Sequence, residues 1–147
     1  MKTLVTGSTG FLGSAILRKL LEDGREVKVL IREKSNTTNI DGIDVEIAYG
    51  DLRDSDSLQS ALNGCDVLYH TAAYYSLWDQ NKQIIYDINV EGTRKILKAA
   101  QLKNIEKVVY TSTVGCVGLN KDTTPSNEDT PFAVSYTHLT LPTNREV

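Results

Sequence analysis

The sequence predicts an α/β fold in which a doubly wound parallel sheet carries helices on both faces. Three observations predict it: apolar runs alternate with helix-like segments, a glycine-rich turn joins the first run to the first helix, and the second run is almost continuously apolar. Such alternation is typical of parallel sheets with right-handed crossovers. We expect five strands in the order 3-2-1-4-5, forming an incomplete version of this sheet.

Composition limits the possible functions. The chain has 147 residues, 40% hydrophobic and 24% charged, with a net charge of -3, so it lacks the basic excess that binds nucleic acid or an anionic membrane. No apolar run approaches the roughly 20 residues that span a bilayer, and we expect a cytoplasmic protein. Cys65 and Cys116 lack metal-ligand spacing, so we expect packed free thiols and no metal site.

The glycine-rich turn is the residues Thr6-Gly-Ser-Thr-Gly-Phe-Leu-Gly13, between the strand-like run Thr3 to Val5 and a helix. A strand that turns sharply into a helix leaves unpaired N–H groups beside the positive end of the helix dipole, where a phosphate can bind. Gly7 permits the turn, Gly10 lets a pyrophosphate approach the backbone, and Gly13 lets helix and strand pack closely. A glycine-rich turn without a ligand is the alternative.

The first helix and the second strand follow directly. Glu26 to Ile31 is the strand, and its apolar character suits burial on both faces. Gly24 is placed to end the helix in a left-handed conformation. Five apolar residues recur at helical spacing and predict the inner face of this helix: Phe11, Ala15, Ile16, Leu20 and Leu21.

The end of the second strand bears on cofactor choice. In dinucleotide folds an acid there accepts the ribose hydroxyls, whereas a basic residue accommodates a 2′-phosphate. Arg32 and Lys34 favour NADP, whereas Glu33 leaves NAD open as the cofactor. Alternatively, Arg32 and Lys34 are solvated surface cations with no role in cofactor binding.

The third and fourth strands end in further candidate site residues. Val45 to Tyr49 leads to Asp51, which lies either near an adenine or simply before a helix that Asp54 or Ser55 caps. Asp66 to His70 leads to the small residues 71–73, which leave room for a ligand. We expect His70 to be packed and hydrogen-bonded rather than catalytic. Tyr74, Tyr75, Leu77 and Trp78 follow as an aromatic-rich loop, which we expect to line a substrate pocket unless Trp78 instead covers the core.

A long helix from about Gln83 to Leu102 and a fifth strand, Lys107 to Thr111, complete the predicted elements. Asn89 and Gly92 are poor choices inside a helix, so we expect a partner for Asn89 and a close contact at Gly92. The predicted inner face of the helix comprises Ile85, Ile88, Ile96 and Ala99. Hydroxyls after the fifth strand, including Thr113, either reach a substrate oxygen or cap the loop.

Together these motifs resemble the extended short-chain dehydrogenase/reductase superfamily, the NAD(P)-dependent epimerases, dehydratases and dihydroflavonol reductases with a Rossmann domain. The resemblance covers Met1 to about Phe132. Within the superfamily, the chain is similar to the hopanoid-associated sugar epimerases and their dihydroflavonol-reductase-like relatives. The matching pieces are Thr6 to Gly13, Gly50-Asp-Leu52, His70-Thr-Ala-Ala73, Asn89-Val-Glu-Gly-Thr93 and Tyr110-Thr-Ser-Thr113.

The resemblance implies a role for each matching residue. Thr113 corresponds to the catalytic Ser/Thr, whose hydroxyl binds the substrate oxygen while a Tyr, with a Lys four residues later, transfers the proton. The implied cofactor contacts are Gly7, Gly10, Phe11, Leu12 and Gly13 to the pyrophosphate, Arg32 to the ribose phosphate, Asp51 and Leu52 to the adenine, and Ala72 and Ala73 to the nicotinamide side.

The pattern departs from the family after about residue 133. The Tyr-x-x-x-Lys pair is absent, because Tyr136 is followed four residues later by Thr140 and no lysine follows Lys121. Residues 134–147 resemble the translated end of a sequencing-library adapter, and an unusual natural terminus is the alternative. We therefore expect residues 1–133 to be the amino-terminal part of an NAD(P)-binding domain and residues 134–147 to be non-native.

Two functions remain open at this point. The first is the cofactor-binding part of an epimerase or reductase whose parent acts on a small molecule, a sugar nucleotide or another hydroxy or carbonyl compound. The chain itself would have little turnover. The second is a non-catalytic dinucleotide-binding redox sensor. A homodimer is left open, and we expect the edge of the sheet beyond the fifth strand to be exposed.

Overall fold

The computed structural model describes residues 1–76, 81–113, 116–120, 122 and 124–131, together with the backbone of Lys82 but not its side chain. The chain divides into two compact units, Met1–Thr111 and Ser112–Val147, and each is considered by itself. Trp78, Tyr136 and the tail 134–147 lie outside the described residues, so the predictions about them stay predictions.

Strands and helices alternate along the first unit as the sequence predicts. The strands are β1 (Lys2–Thr6), β2 (Glu26–Ile31), β3 (Glu46–Tyr49), β4 (Val67–His70) and β5 (Lys107–Tyr110). The helical segments are α1 (Phe11–Glu22), a short 3₁₀ turn (Thr38–Ile40), α2 (Ser55–Ala61), α3 (Lys82–Tyr86), a π-helical segment (Asp87–Gly92) and α4 (Thr93–Leu102).

The five strands form one parallel sheet in the order β3-β2-β1-β4-β5, which confirms the predicted topology. In this register Thr6, at the end of β1, lies opposite Leu30 on one side and His70 on the other. Strands β2 and β3 lie on one side of β1, and β4 and β5 lie on the other, so the strand order reverses between β1 and β4. Parallel-sheet folds bind ligands at such a point.

Two apolar clusters cover the two faces of the sheet, because successive strand residues point to opposite sides. Leu4 and Leu68 belong to the cluster beneath α2 and α4. Val5 and Val29 belong to the cluster beneath α1. From Val27 to Ile31 every residue of β2 is buried, as its almost continuously apolar character predicts, and Lys28 is buried with them.

The predicted inner face of α1 is partly wrong. Its buried residues are Gly13, Ser14, Leu17 and Leu20, whereas the Phe11 side chain is 92% exposed. The helix is rotated so that the small residues Gly13 and Ser14 approach the sheet. The backbone of the glycine-rich turn leaves no room there for a larger side chain, and this requirement outweighs the apolar periodicity.

The predicted long helix is three consecutive helical segments, because a π-helical turn separates α3 from α4. Asn89 and Gly92 lie in that turn, and both expectations for them are confirmed. The backbone of Tyr74 is the partner of Asn89. A Cβ atom on Gly92 would lie 2.8 Å from Leu52 Cβ, so the helix comes close to the residue that follows β3.

Ion pairs join three strands at the amino-terminal edge of the sheet, opposite the ends that carry the candidate site. The Lys2 ammonium contacts Glu26, at 2.8 Å, and Glu46. Lys28 is 7% exposed, and its ammonium pairs with Glu46 at 3.1 Å and donates to the Asn63 carbonyl oxygen at 3.0 Å. These contacts satisfy a buried charge, as a lysine inside β2 requires.

The outer strands β3 and β5 are mostly exposed. Tyr110 is 52% and Val108 39% exposed, and β5 is the last strand of the sheet among the described residues. Among the described helices, none combines the length and the apolar character needed to cross a bilayer.

In the second unit, the Asn120 side-chain amide donates to the carbonyl oxygens of Thr124 and Pro125, at 3.2 Å each, so that this loop folds on itself. Cys116 in this unit is exposed, and the expectation that it is packed was wrong. Cys65, in the first unit, is buried as predicted, and burial raises the pKa of its thiol.

Substitution of two adjacent residues in α4 tests the face that this helix presents to the core. Ile96 is fully buried and Leu97 is 39% exposed. Ile96→Ala should lower the free energy of unfolding by about 2 to 5 kcal/mol, because it removes packed methyl groups and leaves a cavity. Leu97→Ala should cost less than about 1 kcal/mol. Urea denaturation of both variants checks this, and equal losses would contradict the helix register.

Candidate functional site

A cleft of about 230 Å³ opens at the carboxyl ends of the strands, in the Met1–Thr111 unit. Its residues come from the ends of β1, β2, β3 and β4, with one from the π-helical segment. They are Thr6, Gly7, Thr9, Gly10, Leu30, Ile31, Arg32, Ser35, Gly50, Asp51, Leu52, Thr71, Ala72, Ala73, Tyr74 and Ile88.

The glycine-rich turn forms the centre of the cleft. Gly7 has a φ of 75°, a left-handed conformation that glycine adopts without strain. The Gly10 N–H donates to the Gly7 carbonyl oxygen at 3.0 Å and closes the turn, and α1 begins at Phe11. Gly10 is the N-cap of α1. Because glycine has no side chain, the first N–H groups of the helix have no side-chain cap at this position. This helix start suits an anionic group.

The turn lies so close to the end of β4 that larger residues would not fit. A Cβ atom on Gly7 would lie 2.7 Å from the Ala72 nitrogen and 2.8 Å from Thr71 Oγ1. A Cβ atom on Gly13 would collide with the Gly7 carbonyl oxygen. At Gly10 only the Gly7 carbonyl oxygen is near, at 3.3 Å. The three glycines therefore differ in their surroundings, and Gly10 has the most open one.

The β2 and β3 side of the cleft carries charges of both signs. The Arg53 guanidinium binds both carboxylate oxygens of Asp51, Nε to Oδ1 at 2.9 Å and Nη2 to Oδ2 at 2.8 Å. These contacts, with a further contribution from Arg32, lower the pKa of Asp51 to about 2, so the carboxylate is ionised at neutral pH. Because Asp54 accepts the N–H of Asp56 and caps α2, Asp51 is not needed as the cap.

A second depression adjoins this side of the cleft. Arg32, Glu33, Lys34 and Asp51 contribute to it, so the cations that the sequence singled out lie beside the carboxylate. The Arg32 N–H donates to Ser35 Oγ at 3.2 Å, which turns the chain at the end of β2. The guanidinium of Arg53 was not among the predicted site residues, because its sequence position after Asp51 does not show that it folds back onto the carboxylate.

His70 is the last residue of β4 and directly precedes the cleft residue Thr71. Its side chain is fully buried, with Nδ1 2.7 Å from Thr6 Oγ1 and Nε2 3.0 Å from Thr93 Oγ1. The ring stacks on Tyr110 with centroids 5.4 Å apart. Burial lowers the pKa of His70 to about 4, so the ring is neutral at pH 7. The expectation that His70 is packed and hydrogen-bonded is confirmed.

Tyr74 is held in the wall of the cleft by a pair of hydrogen bonds. The Tyr74 N–H donates to Asn89 Oδ1 at 2.7 Å, and Asn89 Nδ2 donates to the Tyr74 carbonyl oxygen at 2.8 Å. The side chain of Asn89 thus pairs with the backbone as a neighbouring strand would. The same helical segment contributes Ile88 to the cleft.

Most of the predicted cofactor residues lie together in this cleft: Gly7, Gly10, Arg32, Asp51, Leu52, Ala72 and Ala73. Phe11, Leu12 and Gly13 do not line it, and the side chains of Phe11 and Leu12 are 92% and 46% exposed, so any contact from them to a ligand would come from backbone N–H groups. Thr113 is exposed and belongs to the unit Ser112–Val147. The structure adds nine residues to the predicted cofactor set: Thr6, Thr9, Leu30, Ile31, Ser35, Gly50, Thr71, Tyr74 and Ile88.

Comparison with known proteins identifies the family. The sequence profile described as the 3-beta hydroxysteroid dehydrogenase/isomerase family matches residues 4–145. The chain belongs to this family. The predicted resemblance to the extended short-chain dehydrogenase/reductases is thereby confirmed.

Two curated relatives share much of this sequence. Sterol demethylase protein B of Methylococcus capsulatus is 48% identical over 120 residues, which are 82% of this chain and 37% of the relative. A putative dihydroflavonol 4-reductase of Synechocystis is 44% identical over 118 residues, 80% of this chain and 34% of the relative. The chain thus spans about a third of the length of these two proteins.

A solved structure supports the same assignment. The UDP-glucose 4-epimerase of Thermus thermophilus, in a complex with NAD, is 25% identical and superposes with a TM-score of 0.79. The match covers 99% of this chain and 51% of the epimerase chain.

The buried His70 predicts a specific pH dependence of stability. Its pKa is about 4 in the folded protein, below the ordinary 6.5, so the unfolded state binds the proton more readily. Stability should therefore be fully present above pH 6.5 and should fall by up to about 3 kcal/mol as the pH drops to 4.

Denaturation by urea at several pH values, in the wild type and in His70→Gln, measures this effect. The carboxylates titrate in both proteins, so the difference between the two curves isolates His70. The wild type should lose more stability between pH 6.5 and 4 than the variant does. Parallel curves would show that His70 does not resist protonation.

Proposed function

We propose that the Met1–Thr111 unit binds a nicotinamide dinucleotide, and that the full-length protein uses it to oxidise, reduce or epimerise a small molecule at a hydroxyl or carbonyl carbon. The observation that carries this proposal is the glycine-rich turn, whose open Gly10 and uncapped α1 lie at the point where the strand order reverses. That arrangement fits a pyrophosphate.

The residues around the turn divide the cleft into two halves. Arg32, Asp51 and Leu52 lie on the β2 and β3 side and would hold the adenosine. Ala72 and Ala73 follow β4 and would face the nicotinamide. The small side chains leave room there for a flat ring. When it is bound, the nicotinamide supplies hydride transfer.

NADP is the cofactor that we favour over NAD. Arg32 follows β2 and lies in both depressions of the cleft, and Lys34 lies in the second one. A guanidinium at this strand end can bind a 2′-phosphate through charge-assisted hydrogen bonds. Glu33 leaves binding of NAD open, and the epimerase structure above is a complex with NAD.

The reaction itself is assigned to the full-length protein. The two curated relatives above carry the names of a sterol demethylase and a putative dihydroflavonol reductase, and the similar solved structure is a sugar-nucleotide epimerase. We propose a small hydroxy or carbonyl substrate of this general kind. Thr113 would bind the substrate oxygen, a role that rests on the family resemblance. We also propose that the 147-residue chain turns over little, since it contains no Tyr-x-x-x-Lys segment.

Two glycine variants test dinucleotide binding. Gly7→Ala should abolish it, because the new Cβ atom would lie 2.7 Å from the Ala72 nitrogen and displace the turn. Gly24→Ala is the matched control: Gly24 has a similar φ of 69°, so the backbone strain is comparable, but nothing lies within 4 Å. Isothermal titration with NADP⁺ should give binding for the wild type and Gly24→Ala only. A wild-type chain that binds neither NADP⁺ nor NAD⁺ would refute the proposed function.

The cofactor preference has its own test. The wild type should bind NADPH more tightly than NADH, and Arg32→Ala should weaken NADPH binding by about tenfold or more while leaving NADH nearly unchanged. Lys103→Ala removes a cation from the far end of α4 and controls for net charge. Fluorescence titration of each protein with each cofactor measures the affinities. Equal affinities of the wild type for the two cofactors would remove the role given to Arg32.

A further inference from the structure

The end of β4 is tied to the rest of the fold by a buried chain of hydrogen bonds that no part of the proposed function has used. The Ala72 N–H donates to Thr6 Oγ1 at 3.3 Å, Thr6 Oγ1 lies 2.7 Å from His70 Nδ1, and His70 Nε2 lies 3.0 Å from Thr93 Oγ1. Thr6 is 1% exposed and His70 is fully buried. The chain of hydrogen bonds therefore runs from the cleft wall to the first residue of α4 through side chains that are shielded from solvent.

The groups of this chain can be arranged so that every member has a partner. The Thr6 hydroxyl accepts the Ala72 N–H and can donate its own hydrogen to His70 Nδ1. In that arrangement the neutral ring carries its hydrogen on Nε2 and donates to Thr93 Oγ1.

The same helical region holds this strand end at a second place. Asn89, in the π-helical segment, binds both backbone groups of Tyr74, and Thr93 begins the helix that follows directly. Residues 70–74 are thus attached twice to residues 89–93. The same strand end is also attached to β1, because the Thr71 hydroxyl donates to the Thr6 carbonyl oxygen at 2.6 Å.

The hydrogen bonds of Thr6, His70 and Thr93 reach the cleft at Ala72, on its β4 side. Ala72 lies beside Gly7 on the β4 side, whereas Arg32 and Asp51 extend from β2 and β3 on the other side of the turn. We propose that Thr6, His70 and Thr93 are positioning residues that hold the Ala72 backbone against the nicotinamide half of the dinucleotide, without acting on the adenosine half. This inference rests on the proposed function.

A pair of ligands separates the two halves in the experiment. NADP⁺ and adenosine 2′,5′-bisphosphate share the phosphorylated adenosine, and only NADP⁺ carries the nicotinamide nucleotide. Thr6→Val keeps the shape of the side chain and removes the hydroxyl, and Thr6→Ser restores the hydroxyl. Thr93→Val removes the distant end of the chain and does not alter a residue of the cleft.

Isothermal titration of the 147-residue chain should show that Thr6→Val weakens NADP⁺ binding by about three- to tenfold, the value of one hydrogen bond, and leaves the bisphosphate affinity unchanged. Thr6→Ser should recover the wild-type affinity. Thr93→Val should show a smaller loss, again confined to NADP⁺. If Thr6→Val does not fold, as its circular dichroism spectrum would reveal, Thr93→Val alone decides the question.

The alternative results are distinct. Equal losses for both ligands would show that the chain of hydrogen bonds supports the whole cleft, and no loss for either would show that it supports neither half. Both results overturn the inference while dinucleotide binding stands. A wild type that binds the bisphosphate but gains no affinity from the nicotinamide nucleotide also overturns it. A wild type that binds neither ligand overturns the proposed function, and the inference with it.

Discussion

The contact between the glycine-rich turn and the end of β4 is the constraint on which the rest of the site depends. Gly7, Gly13, Thr71 and Ala72 approach so closely that a single Cβ atom at either glycine would collide with backbone. This contact brings the start of α1 to the reversal of strand order. It also explains the rotation of α1, which presents Gly13 and Ser14 to the sheet in place of Phe11.

A second organising feature is the π-helical turn between α3 and α4. A π-helix has one extra residue in its turn and therefore changes the direction in which later side chains point. Here the segment directs Asn89 to the backbone of Tyr74, places Ile88 in the cleft and brings Gly92 against Leu52. Thr93, immediately after it, reaches His70. π-helical turns recur at functional sites.

Charged residues at the two ends of the strands differ: those at the amino-terminal edge join neighbouring strands, and those at the carboxyl edge surround the cleft. At the amino-terminal edge, Lys2 and Lys28 pair with Glu26 and Glu46, and these contacts hold β1, β2 and β3 together. At the carboxyl edge the turn leaves its helix start uncapped, and Arg32 lies near an Asp51 already bound by Arg53. The sheet edge that carries the cleft is therefore the one that offers an anion a helix start and a nearby guanidinium.

The sequence alone determined the strand order and the position of the glycine-rich turn, because these follow from local backbone chemistry and from the alternation of apolar segments. The family was indicated separately, by the resemblance of several motifs that occur in one order. The sequence also placed Gly7, Gly10, Arg32, Asp51, Leu52, Ala72 and Ala73 correctly at strand ends, where a parallel sheet gathers them into one cleft. Periodicity misassigned Phe11 and merged three helical segments into one, because it contains no information on close backbone approach. Only the tertiary structure decided that Arg53 holds Asp51 and that Thr6, His70 and Thr93 form one chain, since hydrogen bonds between residues distant in sequence depend on geometry that no single stretch of sequence specifies.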